Sequence, residues 1–142
     1  MPVPDLRFPA GLARLVARLP AQPASQVFVT LLNLAHHQGS LAGEWDFIGT
    51  RRVHISVLDL GLTLRFGHDG KRFVARHEGA PDIRFAASAA DFLRITLREE
   101  DPDTLFFQRR LVIEGDTELG LQLKNRLDAL ELPRFLQNLV AR

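Results

Sequence analysis

The stretch DPDTLFFQRRLVIEGDTELGL, residues 101–121, holds a helix start, two adjacent phenylalanines, two adjacent arginines, a short apolar strand and a Gly-Asp turn. Pro102 and Asp103 open a short helix carrying Leu105, Phe106 and Phe107. Arg110 to Glu114 reads as a strand. Asp116 or Thr117 then caps a last long helix, whose buried stripe is Leu119, Leu123, Leu127 and Leu130, with Pro133 as its breaker. A late strand set between helices, after a strand-rich middle, marks an α+β domain: one sheet with helices on one face.

Upstream, the hydrophobic period is two. Val53, Ile55 and Val57 alternate with His54 and Ser56, and Leu60, Leu62, Leu64 and Phe66 alternate with Gly61, Thr63 and Arg65. GHDG at 67–70 is a hairpin turn in which Gly70 supplies a positive φ. Phe73 and Ala75 follow, Gly79-Ala80-Pro81 breaks the chain, and Ile83, Phe85 and Ala87 give a fourth strand. With a possible start at Trp45–Ile48, these strands predict an antiparallel meander. Ser88, with Asp91 three residues on, caps a helix through Phe92, Leu93, Ile95 and Thr96.

Further upstream the chain is helical. Ala24 to His37 reads as a helix apolar on nearly every side. Before it, Phe8, Leu12, Leu15, Val16 and Leu19 share one arc, flanked by Arg7, Arg14 and Arg18 and ended by Pro20. That is a basic amphipathic helix of the kind that meets anionic headgroups, so Arg7, Phe8, Leu12, Arg14, Leu15 and Arg18 are the expected membrane contacts. The chain divides into an N-terminal helical segment, 1–40, and a domain, 41–142.

The composition excludes several chemistries. With no cysteine among 142 residues there is no disulfide, thiolate metal site or cysteine nucleophile, which fits a reducing compartment. A net charge of +1 gives no reason to expect nucleic acid. No run is long and apolar enough to span a membrane, and Arg14 and Arg18 stand where a signal peptide needs an unbroken apolar stretch.

The candidate reactive groups are few. His36 and His37 are helical neighbours about 100° apart, so they cannot grip one metal, and His54, His68 and His77 lack ligand spacing. No nucleophile elbow, phosphate loop or dinucleotide fingerprint is present. Asp101 with Asp103 and Glu114 with Asp116 are the only carboxylate pairs an enzyme would use; Asp103 and Asp116 also stand where helix caps belong. Arg109 and Arg110 suit phosphate, but strand neighbours face opposite ways. Gly120 inside a helix implies either close packing or a ligand against the backbone. Ten phenylalanines and no tyrosine leave the aromatic groups without polar handles, as suits a site for hydrocarbon.

Asp101 to Asn125 resembles the corresponding run in the sterol-carrier-protein type of lipid-binding domains, and among them the bacterial ubiquinone-biosynthesis accessory factors. The broader pattern runs from Trp45 to Glu131, with PDIRFAASAADFLRI as last meander strand plus helix, then a phenylalanine-bearing turn and a strand ending in Gly-Asp. The resemblance implies a mostly antiparallel five-stranded sheet with helices on one face enclosing an apolar tunnel. It implies binding of the isoprenoid tail of ubiquinone precursors, without catalysis, cofactor or metal, alongside iron–sulfur hydroxylase subunits of the oxygen-independent pathway. The location it implies is cytoplasmic with peripheral membrane association. Tunnel positions would be drawn from Phe85, Phe92, Leu105, Phe106, Phe107, Leu119, Leu123 and Leu127, joined by Gly120 if a tail passes the closing helix. Of Phe106 and Phe107, about 100° apart on one turn, one is expected in the core and the other in the tunnel. The competing readings are a general lipid or fatty-acyl carrier, a ligand-free interaction module and a small enzyme.

Overall fold

Val53 sits at the centre of the sheet, paired antiparallel with Phe66 on one side and parallel with Ile83 on the other. This computed structural model describes residues 21–39, 41 and 43–128. Its elements are α1 (Ala21–His37), a 3-10 turn (Asp46–Ile48), β1 (Val53–Val57), a second 3-10 turn (Leu58–Leu60), β2 (Leu62–His68) and β3 (Phe73–Ala75). There follow β4 (Ile83–Ala87), α2 (Ala89–Thr96), α3 (Pro102–Phe107), β5 (Val112–Gly115) and α4 (Thr117–Asp128). The five strands form one sheet in the order β3-β2-β1-β4-β5. The amphipathic helix read over Phe8–Leu19, and Leu130 onward, lie outside the described residues.

The five-stranded α+β architecture is as the sequence predicts, with one correction: the sheet is mixed. The fourth strand does not continue a meander beside β3. It crosses to the far edge of β1 and runs parallel to it. The crossing segment, 76–82, is held from both sides: Arg76 N–H donates to the Arg65 carbonyl at 3.1 Å, and Asp82 N–H to the Arg52 carbonyl at 2.9 Å. Alternation reports which face a residue takes but carries no information about the direction of its neighbour.

Local chemistry sets the other boundaries. The hairpin is tighter than read, because β2 continues to His68, which pairs with Phe73. Asp69 closes the turn by accepting the N–H groups of Lys71 and Arg72, both at 2.9 Å, while Gly70 takes φ 96°. Trp45–Ile48 is not a strand. It is one 3-10 turn in which Trp45 and Ile48, three residues apart, both turn inward and are 8% and 0% exposed. Ser88 caps α2 by accepting Asp91 N–H at 3.1 Å, as its spacing predicts. Asp116 likewise caps α4, accepting Leu119 N–H at 3.1 Å. Asp103 does not cap α3: Asp101 holds the N-cap position with Pro102 beside it, and Asp103 pairs with Lys124 instead.

All the described helices lie against the apolar side of the sheet. α1 packs on β2 and β3, α4 packs on β4 and β5, and α2 and α3 lean on α4. The core runs between these layers through Ile48, Val53, Phe66, Ile83, Leu105, Leu111 and Leu119.

Candidate functional site

The apolar side of the sheet is not covered evenly. In the central rows, β1 presents Val53, Ile55 and Val57, β2 presents Phe66, Leu64 and Leu62, and β4 presents Ile83, Phe85 and Ala87. No polar side chain interrupts this block. α1 closes one side, where Phe28 meets Phe66 edge-on with ring centroids 5.3 Å apart. α4 closes the other, where Gly120 brings its backbone down on Ile83 and Ile113. Between them Ile55 is only half-buried, although its partner Phe85 is 3% exposed. Leu64 and Leu62 beside it are half-buried as well.

An inward residue of a central strand in a closed core is fully covered. Ile55 is not: α1 packs on β2 and β3 and α4 on β4 and β5, and on β1 between them Ile55 stays partly open. A partly open apolar patch remains on this side of the sheet, with half-buried Phe28 on α1 and Phe92 on α2 packed against the adjoining core. Arg126 of α4 lies over the Trp45 and Phe47 rings, 5.2 and 5.3 Å from their centroids, and joins α4 to the first 3-10 turn. The side chains named on this face are all hydrocarbon, which suits an apolar occupant.

The residues singled out in the sequence divide into three groups. Phe85, Leu105, Leu119 and Leu123 are core, 3%, 0%, 0% and 5% exposed, while Phe92 is half-buried against that core. Phe106 and Phe107 are on the surface, 41% and 79% exposed, and stack on each other at 5.7 Å. Neither enters the core as expected: a six-residue helix has one inward stripe, and Pro102 and Leu105 fill it. The Leu127 side chain and the membrane contacts Arg7, Phe8, Leu12, Arg14, Leu15 and Arg18 lie outside the described residues. Ile55, Leu62 and Leu64 were read only as strand pattern; their alternation placed them inward, and nothing local to them reported the incomplete cover.

Gly120 is explained by packing. A Cβ there would stand 3.0 Å from Ile83 Cδ1 and 3.1 Å from Ile113 Cγ2, so the glycine admits α4 to close approach. Gly120→Leu is expected to overpack this contact and cost about 1 to 3 kcal/mol. Thermal melts of lipid-free protein check this, and an unchanged Tm would mean that the space beside the glycine is open.

The two arginines have separate duties. Arg109 takes the left-handed position that ends α3, φ 61°, its N–H donating to the Phe106 carbonyl at 3.1 Å. Arg110 is engaged by carboxylates, reaching Asp91 at 2.6 Å and Glu100 at 2.7 Å, so a phosphate shared by the arginine pair has no support. The carboxylates an enzyme would recruit are similarly engaged: Asp103 by Lys124, Glu114 by Arg84 and Asp116 by Arg51. Among the described residues no cluster could hold a metal ion, and no helix is long and apolar enough to cross a membrane. Burial, foremost, holds the His54 and His68 imidazoles below their usual pKa.

Residues 29–128 match the model of the SCP-2 sterol transfer family. The ubiquinone biosynthesis accessory factor UbiT of Escherichia coli strain K12 is 44% identical over 110 residues, covering 78% of this chain and 63% of that protein. The UbiT of Escherichia coli O157:H7 gives the same figures. The chain therefore spans 63% of the length of the curated relatives it matches. Among solved structures, a UbiJ-SCP2 ubiquinone synthesis protein superposes with a TM-score of 0.51 at 16% identity, over 77% of this chain and 97% of that one. The sec-alkylsulfatase Pisa1 from Pseudomonas sp. superposes with a TM-score of 0.54 at 16% identity, over 75% of this chain and 16% of its own. These likenesses carry the fold alone; the family match carries more, and by it the chain belongs to the SCP-2 sterol transfer family.

Proposed function

We propose that this protein is a non-catalytic accessory factor of ubiquinone biosynthesis. It holds the isoprenoid tail of a prenylated precursor against the apolar patch around Ile55 and presents the ring to hydroxylase subunits of the oxygen-independent pathway. The observation that carries the reading is the half-buried Ile55 in the central strand of an all-apolar block. The identity of 44% with UbiT points the patch to a quinone precursor rather than to a general fatty-acyl ligand. Each five-carbon unit taken from water contributes about 4 kcal/mol, at roughly 0.8 per methylene.

Organic extraction of the purified protein followed by mass spectrometry tests this. A prenylated ring species is the expected cargo; fatty acids alone would favour a general carrier, and an empty protein an interaction module. Ile55→Trp fills the opening at the patch and is expected to lower the extracted lipid by about tenfold while leaving the fold intact, since the site is already partly open. Retained lipid in that variant places the cargo elsewhere.

A bilayer offers the tail nearly the same gain as the patch, so loading requires membrane contact. The segment 1–40 is proposed to supply it, through Phe8, Leu12 and Leu15 with Arg7, Arg14 and Arg18 at the headgroups, placing the protein at the cytoplasmic membrane surface. Changing the three arginines to glutamate should remove sedimentation with anionic liposomes; undiminished sedimentation refutes the assignment.

A further inference from the structure

The side of the sheet away from the helices carries positive groups that the rest of the protein does not balance. His54 on β1 is in register with Arg65 on β2 and with Arg84 on β4, so three basic side chains stand side by side across the central strands. Arg76 adds a fourth, lying over Gly67 two positions along β2. The crossover segment passes over this row: Arg65 Nη1 donates to the His77 carbonyl at 3.4 Å, and the Arg52 guanidinium stands 2.8 Å from where a Cβ on Gly79 would be.

Among the described residues, of these groups only Arg84 has a carboxylate partner, Glu114 at 3.5 Å. Arg65 is half-buried and its one acceptor is a carbonyl. Arg76, also half-buried, reaches only the carbonyls of Gly49 and His68, at 3.4 and 2.8 Å. Of the two acids in the crossover, Glu78 is exposed and makes no ion pair with these groups, and Asp82 accepts the Arg52 backbone N–H at 2.6 Å. Half-buried guanidinium groups without a counter-charge are costly unless an anion joins them.

A second observation is independent of that charge count. His54 is 8% exposed, and its Nε2 is buried without a hydrogen-bond partner. Arg65 Nε, Arg76 Nε and His77 Nδ1, around the same recess, are buried without partners too. Buried polar atoms are almost always satisfied, so several unsatisfied together mark a place where an acceptor binds. Burial first, and then the charges of Arg65 and Arg84, keep His54 neutral. A neutral imidazole with its proton on Nε2 is a donor.

We infer that the Arg65–His54–Arg84 row, roofed by the 76–82 crossover, is a binding site for a phosphate-type oxyanion. Guanidinium forks and an imidazole N–H supply the kind of donors a tetrahedral oxyanion accepts. The site lies across the sheet from the apolar patch and does not depend on what that patch holds. Its phosphate comes either free from solution or as the headgroup of a phosphomonoester lipid.

The full chain is titrated with inorganic phosphate while the His54 ring resonances are followed by NMR. In parallel it is sedimented with phosphatidylcholine vesicles made with and without phosphatidic acid. The His54 signals are expected to shift saturably. Arg65→Gln should weaken the response by about tenfold or more, and Arg84→Gln serves if the first variant fails to fold. Arg72→Gln, on the exposed hairpin turn, should leave it unchanged. Saturation by free phosphate assigns a solution anion; a response only to phosphatidic acid, lost in Arg65→Gln, assigns a headgroup. No saturable shift with either probe, or equal affinity in wild type and Arg65→Gln, overturns the site and leaves ordered water as the partner of these atoms.

Discussion

Truncating Leu105 to alanine is expected to cost about 2 to 5 kcal/mol, while Phe107→Ala stays within about 0.5 kcal/mol of wild type. The two residues are neighbours on one turn of α3, and the larger side chain is the dispensable one. Leu105 is 0% exposed, and its carbonyl also receives Arg110 N–H at 2.9 Å and Leu111 N–H at 3.1 Å, where the chain turns into β5. Its removal opens a cavity beneath a junction of three elements. Phe107 is 79% exposed and touches little besides Phe106, so its loss returns mostly water-facing area. Urea unfolding of the two single variants decides it through the midpoints. Equal losses would mean that Phe107 packs inward in solution and that the short helix is rotated from the orientation described here.

The same pair marks the limit of what the sequence discloses. A two-residue period places Val53, Ile55 and Val57 on one side of a strand, and the structure agrees. Cap chemistry is legible for the same reason: Ser88 and Asp116 act on N–H groups three residues away, so short spacing holds the whole signal. The parallel pairing of β4 with β1 was not legible, because it depends on where a seven-residue crossover lands, and no local rule records that. The inward stripe of a six-residue helix is equally ambiguous when three consecutive residues are apolar: Leu105, Phe106 and Phe107 were all candidates, and Leu105 alone of the three is buried. For the apolar patch, the sequence supplied its side chains but not its position. The opening at Ile55 depends on where α1 and α4 pack, which no residue of β1 encodes.

Asp91→Ala is expected to destabilise the protein by about 3 kcal/mol, the lower end of the range for breaking a buried ion pair. Asp91 is 7% exposed in the first turn of α2. Its carboxylate takes Arg94 Nη1 at 2.8 Å within the helix and Arg110 Nη2 at 2.6 Å from the turn before β5, and Arg110 also reaches Glu100 at 2.7 Å. One arginine thereby fastens α2, the loop after it and the turn into the edge strand. Removing Asp91 takes one acceptor from each of two guanidinium groups, although Arg110 keeps Glu100 and has 36% of its side chain exposed, which moderates the cost. Burial alone would raise the Asp91 pKa, but hydrogen bonds from Arg110 and Arg94 outweigh it and hold the carboxyl below the usual range. The linkage sign follows: below about pH 4 the unfolded chain takes up this proton before the folded one does, so the pair's stability is present above that pH and lost as pH falls. Asp91→Asn should therefore show a weaker acid dependence than wild type below about pH 4, measured as unfolding midpoints against pH. A double-mutant cycle with Arg110→Ala isolates the pair, and a coupling near zero would reduce the network to side chains that merely fill space. If the coupling is large, the turn that leads into β5 is fastened to α2 through Arg110, and the arginine that looked made for phosphate is a fastening within the fold.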